Sequence, residues 1–252
     1  MILQSLMVFG LAVGVGGLSA VLGLGGGVLL VPIFTLLLKL PIHQAVALSL
    51  CCVMATSVTS TAKYLGSGLV DLKAVLYLET TTIIGSYAAG RFAGNVSERG
   101  IAIIFAALLV FSAVVMLLQR SDANGPRRSI KSAYPIAMGS SIFAGGLVGL
   151  LGVGGGIVKV PILQLILGKP VKQAVASSAM MVGISAAVAV IPYMNRGDVP
   201  IEWVPFATLG TVLGAFLGAK LFHRIDSLYI KFLFAAVLFY TAVNMIIKSV
   251  RG

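Results

Sequence analysis

Long apolar runs, separated by short polar segments, make up most of this sequence. A membrane-spanning helix needs about 20 mainly apolar residues. Six runs of roughly that length lie near residues 44–64, 72–92, 100–119, 173–194, 201–221 and 228–247. Each is predicted to cross a lipid bilayer once as an α-helix.

Two further runs, residues 2–38 and 133–168, are too long for a single crossing. As one helix rising about 1.5 Å per residue, the first would reach roughly 55 Å, whereas the hydrocarbon core is about 30 Å thick. Each run contains a glycine cluster, GLGGG at residues 23–27 and GVGGG at residues 152–156. Because glycine is a poor helix former with a freely turning backbone, we expect each run to form a helical hairpin broken at its glycines.

The composition agrees with a membrane location. Hydrophobic residues make up 59% of the chain and charged residues 10%, with a mean hydropathy of +1.08. These values exclude a soluble domain, a disordered chain and a disulfide scaffold. The net charge is +11, but the basic residues lie between the apolar runs. We interpret them as markers of the cytoplasmic side rather than of nucleic-acid binding, although an anionic cargo also fits.

The motifs of several enzyme classes are absent from the sequence. It contains no Walker lysine motif, no HExxH and no GxSxG. His43 and His223 are its only histidines, too few for a zinc site. Cys51 and Cys52 are adjacent within an apolar run, and we interpret them as small buried residues. We therefore expect a cell-membrane protein, of a prokaryotic plasma membrane, that is not an enzyme and uses no cofactor or metal.

The second half of the chain repeats the first at an offset of 129 residues (161 − 32, for Pro32 and Pro161). Scattered matches between apolar residues would follow from composition alone, but glycines, prolines and glutamines in register would not. Without a gap, this offset aligns Gly25, Gly26 and Gly27 with Gly154, Gly155 and Gly156, Pro41 with Pro170, Gln44 with Gln173, Ser49 with Ser178, Tyr64 with Tyr193 and Gly85 with Gly214.

The repeat predicts an all-α polytopic membrane protein with two homologous halves, residues 1–118 and 134–252, joined by a polar linker at 119–133. If each half is a hairpin plus three transmembrane helices, the halves are inverted. Lys and Arg then divide twelve to six between the two faces. The positive-inside rule favours that division over the nearly even one of parallel halves, and it places the linker in the cytoplasm.

Glycine breaks at matching positions of inverted halves are typical of a transporter binding site. Where a helix restarts, its first N–H groups have no partner within the helix and carry a partial positive charge. Two such ends brought together would bind an anion. The alternative is close helix packing, because Gly23 and Gly27, like Gly152 and Gly156, also fit a small-xxx-small pattern. Duplication of the cluster favours the binding site.

The motifs GLGGG-x4-P and GVGGG-x4-P, each followed by P-x2-Q-A-V-A-x-S, resemble those of the TauE/SafE family, the sulfite exporter or 4-toluene sulfonate uptake permease group. The resemblance covers nearly the whole chain. It implies a secondary carrier of sulfite, organosulfonates or related sulfur oxyanions, with proton coupling as an expectation. Thiosulfate or another small anion is an alternative cargo. An anion channel sharing the same half-helix site is an alternative mechanism, and a homodimer is an expected assembly.

Polar residues near the breaks are the candidate ligands of the anion. Besides the six glycines aligned above, they are Gln44, Ser49, Lys159, Gln173 and Ser178. The glutamines could bind a sulfonate oxygen or cap the hairpin, and the serine hydroxyls could bind the anion or their own helix.

Two ionisable residues interrupt otherwise apolar segments. Lys159 could neutralise the cargo, although we expect its long side chain to reach the cytoplasmic face. Glu79, near mid-membrane, is a candidate for proton coupling, and a structural ion pair with Lys63 or Lys73 is the alternative. Tyr64, Tyr77, Tyr193 and Trp203 are expected to be interfacial anchors.

The predicted topology can be tested with a single cysteine in the linker. The thiol of Asn124→Cys should resist membrane-impermeant maleimides added to whole cells and react after the cells are opened. Labelling from outside would reverse the assigned orientation.

Overall fold

The structure, a computed structural model, describes residues 2–22, 27–118, 133–221, 239–245 and 247. These parts of the chain are helical and contain no strand, which confirms the all-α prediction for them. The main helices are α1 Ile2–Leu22, α2 Gly27–Leu36, α3 Ile42–Gly66, α4 Leu72–Ala93, α5 Glu98–Leu118, α6 Ala133–Leu151, α7 Gly156–Pro161 with a π-helical continuation at Ile162–Ile166, α8 Val171–Arg196 and α9 Val204–Leu221.

Three described helices are long and apolar enough to cross a membrane, namely α3, α6 and α8. Shorter apolar helical segments lie at Ser5–Gly17, Gly27–Leu36, Gly156–Ile166 and Val204–Leu217. In α3 and α8, 56% of the most apolar window is buried inside the protein, against 39% in α6, so α3 and α8 form the centre of the helical bundle.

Proline starts both central helices in the same way. Pro41 and Pro170 directly precede α3 and α8, with extended ψ angles of 143° and 147°. Because proline fixes φ near −65° and lacks an N–H, it suits the entry to a helix. The starts of α3 and α8 are 129 residues apart (171 − 42), and so are those of α2 and α7 (156 − 27).

The helices of one half pack on those of the other. Helix α4 packs on α6 and α9 packs on α1, while α3 and α8 contact each other. A Cβ on Gly85 would lie 2.2 Å from the Ile142 carbonyl oxygen, and one on Gly214 would lie 2.0 Å from that of Val13. The two contacts correspond at the offset of the repeat, because Gly214 lies 129 positions after Gly85 and Val13 lies 129 positions before Ile142 (214 − 85 and 142 − 13).

A second pair of contacts follows the same rule. A Cβ on Gly145 would lie 2.2 Å from the Thr82 carbonyl oxygen, and one on Gly16 would lie 2.3 Å from that of Thr211. Again the offset is 129 (145 − 16 and 211 − 82). Small residues at these positions let the helix backbones touch. The duplicated sequence therefore forms duplicated contacts, exchanged between the halves.

The linker predicted at 119–133 lies outside the described residues except for Ala133, which is the first residue of α6. The predicted span near 228–247 is described only from residue 239.

Adjacent glycines on α6 provide a matched test of the helix packing. Gly145→Ala places its methyl group 2.2 Å from the backbone of Thr82, whereas nothing lies within 4 Å of a Cβ on Gly146. We expect Gly145→Ala to destabilise the detergent-solubilised protein by about 1–3 kcal/mol. Gly146→Ala should be neutral or stabilising by up to about 1 kcal/mol. Thermal unfolding measures both, and equal effects would contradict the packing.

Candidate functional site

The second glycine cluster breaks the helix, as predicted. Helix α6 ends at Leu151, residues 152–155 are not helical, and α7 begins at Gly156. Gly152, Gly154 and Gly155 have φ angles of +68°, +72° and +67°. Side chains disfavour this left-handed region, so glycine is what lets the chain turn and restart.

The start of α2 lies directly against this break. A Cβ on Gly27 would lie 2.5 Å from the carbonyl oxygen of Gly152 and 2.8 Å from the carbonyl carbon of Val153. Gly25 and Gly26, the other predicted glycine ligands of the first half, lie outside the described residues. Gly27, which follows them, brings the end of the first cluster into contact with the second.

Helix α3 also contacts the break. Ser49 is fully buried, and its hydroxyl donates a hydrogen bond to the carbonyl oxygen of Gly152 over 2.9 Å. A Cβ on Gly152 would also lie 2.9 Å from the carbonyl oxygen of Val46. The Ser49 hydroxyl therefore bonds the glycine break rather than its own helix, and it fixes the conformation of the break.

The remaining predicted polar ligands occupy the matching part of α8 and the first turn of α3. Ser178 is buried with 2% exposure. Ser178 corresponds to Ser49 in the repeat, and the residue that corresponds to Gly152, the partner of Ser49, is Gly23 (152 − 129), which lies outside the described residues. Gln44 and Gln173 are half-buried in the first turns of α3 and α8. Gln44 lies on the same turn as Val46, which contacts the break.

Lys159 lies on α7, one turn after the break, and is fully buried. Its Nζ donates to the Ser185 hydroxyl at 2.8 Å and to Glu79 Oε2 at 3.3 Å. The expectation that Lys159 reaches the cytoplasmic face is therefore wrong, because its side chain is enclosed by α4 and α8. Lys159, rather than Lys63 or Lys73, pairs with Glu79.

The ion pair joins Glu79 of the first half to Lys159 of the second, and neither residue has a charged counterpart in the repeat. The residues 129 positions before Lys159 and Ser185 are Leu30 and Thr56, and the residue 129 positions after Glu79 is Thr208. None of these carries a charge. The site thus combines a duplicated backbone with a single pair of charges.

The remaining predicted roles can be compared with the structure, which changes that of Tyr193. Tyr193 is not an interfacial anchor, because it is fully buried and its hydroxyl donates to the Gly149 carbonyl oxygen at 2.9 Å. Tyr77 is exposed and its ring lies 5.4 Å from that of Tyr134. Cys51 and Cys52 are buried and free, as predicted. In the described parts of the chain, His, Cys, Asp and Glu form no group of three that could hold a metal.

An ionic contact at the C-terminal end of the α7 segment was not predicted from the sequence. Lys169, just beyond the π-helical continuation, forms an ion pair with Asp71. Asp71 also caps α4 by accepting from the Ala74 N–H at 3.0 Å, and its own N–H donates to Ser177 Oγ at 2.9 Å. Asp71 thus connects α4, α8 and the end of the broken segment.

Comparison with known proteins identifies the evolutionary context of this site. Residues 8–245 match the family model described as sulfite exporter TauE/SafE. The chain belongs to the TauE/SafE family. The matched region contains both glycine clusters, the Lys159–Glu79 pair and the Asp71–Lys169 pair.

Relatives of this TauE/SafE chain are described as probable membrane transporters. A Haemophilus influenzae protein is 31% identical over 98% of each chain. A Methanocaldococcus jannaschii protein is 27% identical over 94% of this chain and 93% of its own. A Bacillus subtilis protein is 24% identical over 83% of this chain and 87% of its own. No solved structure matches the chain. The TauE/SafE chain is therefore a multi-pass membrane transporter and not an enzyme.

The Asp71–Lys169 contact predicts a pH-dependent contribution to stability. Partial burial raises the pKa of Asp71, but the hydrogen bond from Lys169, the Ala74 N–H and the lysine charge outweigh it and hold the pKa below its ordinary value. The stabilisation is therefore complete above the ordinary pKa of about 4 and is lost as the pH falls through the lower, folded-state value.

Asp71→Asn should accordingly lower the stability of the purified protein at pH 7 by about 1 kcal/mol, an effect that should be smaller at about pH 3, below the ordinary pKa of the carboxyl group. Thermal unfolding at both pH values measures the difference. Lys169→Met should lower the stability in the same pH-dependent way. Lys172→Met, a control at an exposed position nearby, should leave the stability unchanged. An Asp71→Asn effect that persists at low pH would show that the charge is not its cause.

Proposed function

We propose that the chain is a secondary carrier of sulfur oxyanions, sulfite or organosulfonates, that binds the anion where its two glycine breaks meet. The observation that supports this most is the contact of Gly27 with Gly152 and Val153. It sets the start of α2 beside the place where α6 ends and α7 restarts. Both restarts lie between the central helices rather than on the outer surface, since Gly27 and residues 152–156 are buried.

The chemistry of the two restarts suits a sulfur oxyanion. The first N–H groups of α7, at Gly156 and Ile157, have no carbonyl partner within the helix. Inside a membrane such groups need a partner from protein, water or ligand. A sulfite or sulfonate group offers several oxygen acceptors around one sulfur, and glycine allows them to approach the backbone. Gln44 and Gln173 in the first turns of α3 and α8, and Ser178 further along α8, are proposed to supply further donors.

The contacts exchanged between the halves support an inverted-repeat carrier. In such carriers the substrate site lies at the repeat interface, and one repeat moves against the other to alternate access. Here α4 packs on α6 and α9 packs on α1 through matched glycines. Each half thus contacts the other through the same pair of helix contacts. We propose a cytoplasmic linker, a prokaryotic plasma-membrane location and proton coupling through Glu79.

Replacing Gly26 and Gly155 together with leucine tests the site. We expect sulfite uptake into proteoliposomes to fall at least tenfold while membrane insertion persists, because bulk and strain at the breaks exclude the anion. Gly139→Leu is the matched control, since its added side chain points into open space. Normal sulfite flux in the double variant would contradict the site.

The substrate itself is tested by flux measurements with sulfite, thiosulfate, sulfoacetate and sulfate under an imposed pH gradient. We expect saturable flux of sulfite or sulfoacetate. Ohmic current through single proteins would indicate the channel mechanism instead, and selective thiosulfate flux would reassign the cargo.

A further inference from the structure

The buried ion pair between α4 and α7 is incompletely bonded. Charge-assisted N–H···O contacts are commonly about 2.7–2.9 Å. The Lys159 Nζ lies 3.3 Å from Glu79 Oε2 but only 2.8 Å from the Ser185 hydroxyl. The other carboxylate oxygen, Glu79 Oε1, has no hydrogen-bond donor among the described residues. The residue is buried, with 3% of its surface exposed. The pair thus keeps an unused acceptor on the carboxylate.

No second charged group on the packed helices shares this environment. Helix α6 carries Tyr134 as its titratable side chain, and α7 carries Lys159 alone. The titratable residues of α8 and of α4 lie toward their ends, at Lys172, Tyr193 and Arg196 on α8 and at Lys73, Tyr77, Tyr87 and Arg91 on α4. Tyr193 bonds Gly149, and Arg196 pairs with Asp198 at 2.7 Å. Glu79 and Lys159 therefore balance each other's charge.

Charge balance limits what this site can accept. An isolated charge is costly to bury, and removing one partner of a buried pair leaves such a charge behind. A monovalent anion that takes the ammonium of Lys159 from Glu79 would leave the carboxylate unbalanced. A proton on Glu79 Oε1 restores neutrality, because the site then holds a neutral acid and an ammonium–anion pair. The ammonium lies close to the break, with Lys159 Cε 3.6 Å from a Cβ on Gly155.

We propose that Lys159 is a shared counter-ion, bound by Glu79 in the empty carrier and by the anion in the loaded one, so that one proton binds Glu79 for each monovalent anion. This inference rests on the proposed function. The proton enters on Glu79 Oε1, the Lys159 contact moves from Glu79 to the anion, and both reverse on release. Anion and proton are then co-transported without net charge when the anion is monovalent.

Ser185 is proposed as the positioning residue of this exchange. Its hydroxyl accepts from Lys159 Nζ and donates to the Met181 carbonyl oxygen at 2.8 Å, one turn earlier on α8. Because Ser185 accepts directly from the ammonium of Lys159, this contact can hold the ammonium while its ionic partner changes. The matching residue of the first half is Thr56, which shows that a threonine hydroxyl fits this helix position.

Calorimetric titration of the purified protein tests the exchange. The probes are sulfite and ethanesulfonate, the latter with the same charge at every pH used. Titrations in two buffers of different ionisation enthalpy give the number of protons taken up. We expect about one proton per ethanesulfonate bound, and a Kd that rises about tenfold per pH unit above the pKa of Glu79 in the anion-free carrier. Infrared difference spectra should show a carboxylic-acid band that appears with the anion.

Glu79→Gln should bind the anion with no proton uptake, no pH dependence and no carboxylic-acid band. Asp198→Asn makes the same chemical change in another ion pair and should leave all three unchanged. Ser185→Ala should weaken binding about fivefold, and Ser185→Thr should restore it. If Glu79→Gln does not fold, Glu79→Gln with Lys159→Met removes both charges and should lose the proton-coupled binding.

The possible failures are distinguishable. If an anion binds to the wild-type protein without proton uptake, or if Glu79→Gln retains the uptake, the counter-ion exchange is wrong while the proposed function stands. If neither sulfite nor ethanesulfonate binds, the proposed function is wrong and the exchange fails with it. Retained proton-coupled binding in the double variant would also overturn the exchange.

Discussion

The requirement that every backbone N–H inside a membrane find a partner governs this structure. A helix that stops and restarts within the bilayer exposes such groups, each costing several kcal/mol if it faces lipid. Here the restart at Gly156 is covered by other parts of the protein. Ser49 bonds the carbonyl oxygen of Gly152, and the start of α2 packs against it. The break is therefore enclosed at the centre of the bundle, where an anion can serve as the missing partner.

The sequence repeat accounts for the backbone arrangement of the site, whereas its charged side chains are not repeated. The same offset relates helix starts, proline entries and glycine contacts in the two halves, and the start of α2 lies against the break at residues 152–155. The charges do not follow that rule. Glu79 of the first half pairs with Lys159 of the second, whereas the repeat-related positions hold Thr208 and Leu30. In the proposed mechanism, the anion site at the duplicated backbone is therefore combined with a single residue, Glu79, for the proton.

Local sequence was sufficient to predict the helices and the position of the second break. Glycine acts through its own backbone geometry, so its spacing identified the break at residues 152–155 without tertiary information, and the apolar runs placed the starts of α3 and α8 within two residues (44 against 42, 173 against 171). The partners of side chains could not be predicted in this way. Lys159 meets Glu79, 80 residues away, only because α7 packs on α8 beside α4. The burial of Tyr193 and the Asp71–Lys169 contact likewise depend on how helices distant in sequence are packed.

A crystal structure with selenite, a heavier analogue of sulfite, would test the central proposition most directly. Selenium scatters anomalously, which locates the anion independently of the protein model. We expect one strong peak between Gly27 and the start of α7, within hydrogen-bonding distance of the Gly156 N–H. A selenium peak elsewhere in the bundle would contradict the proposition.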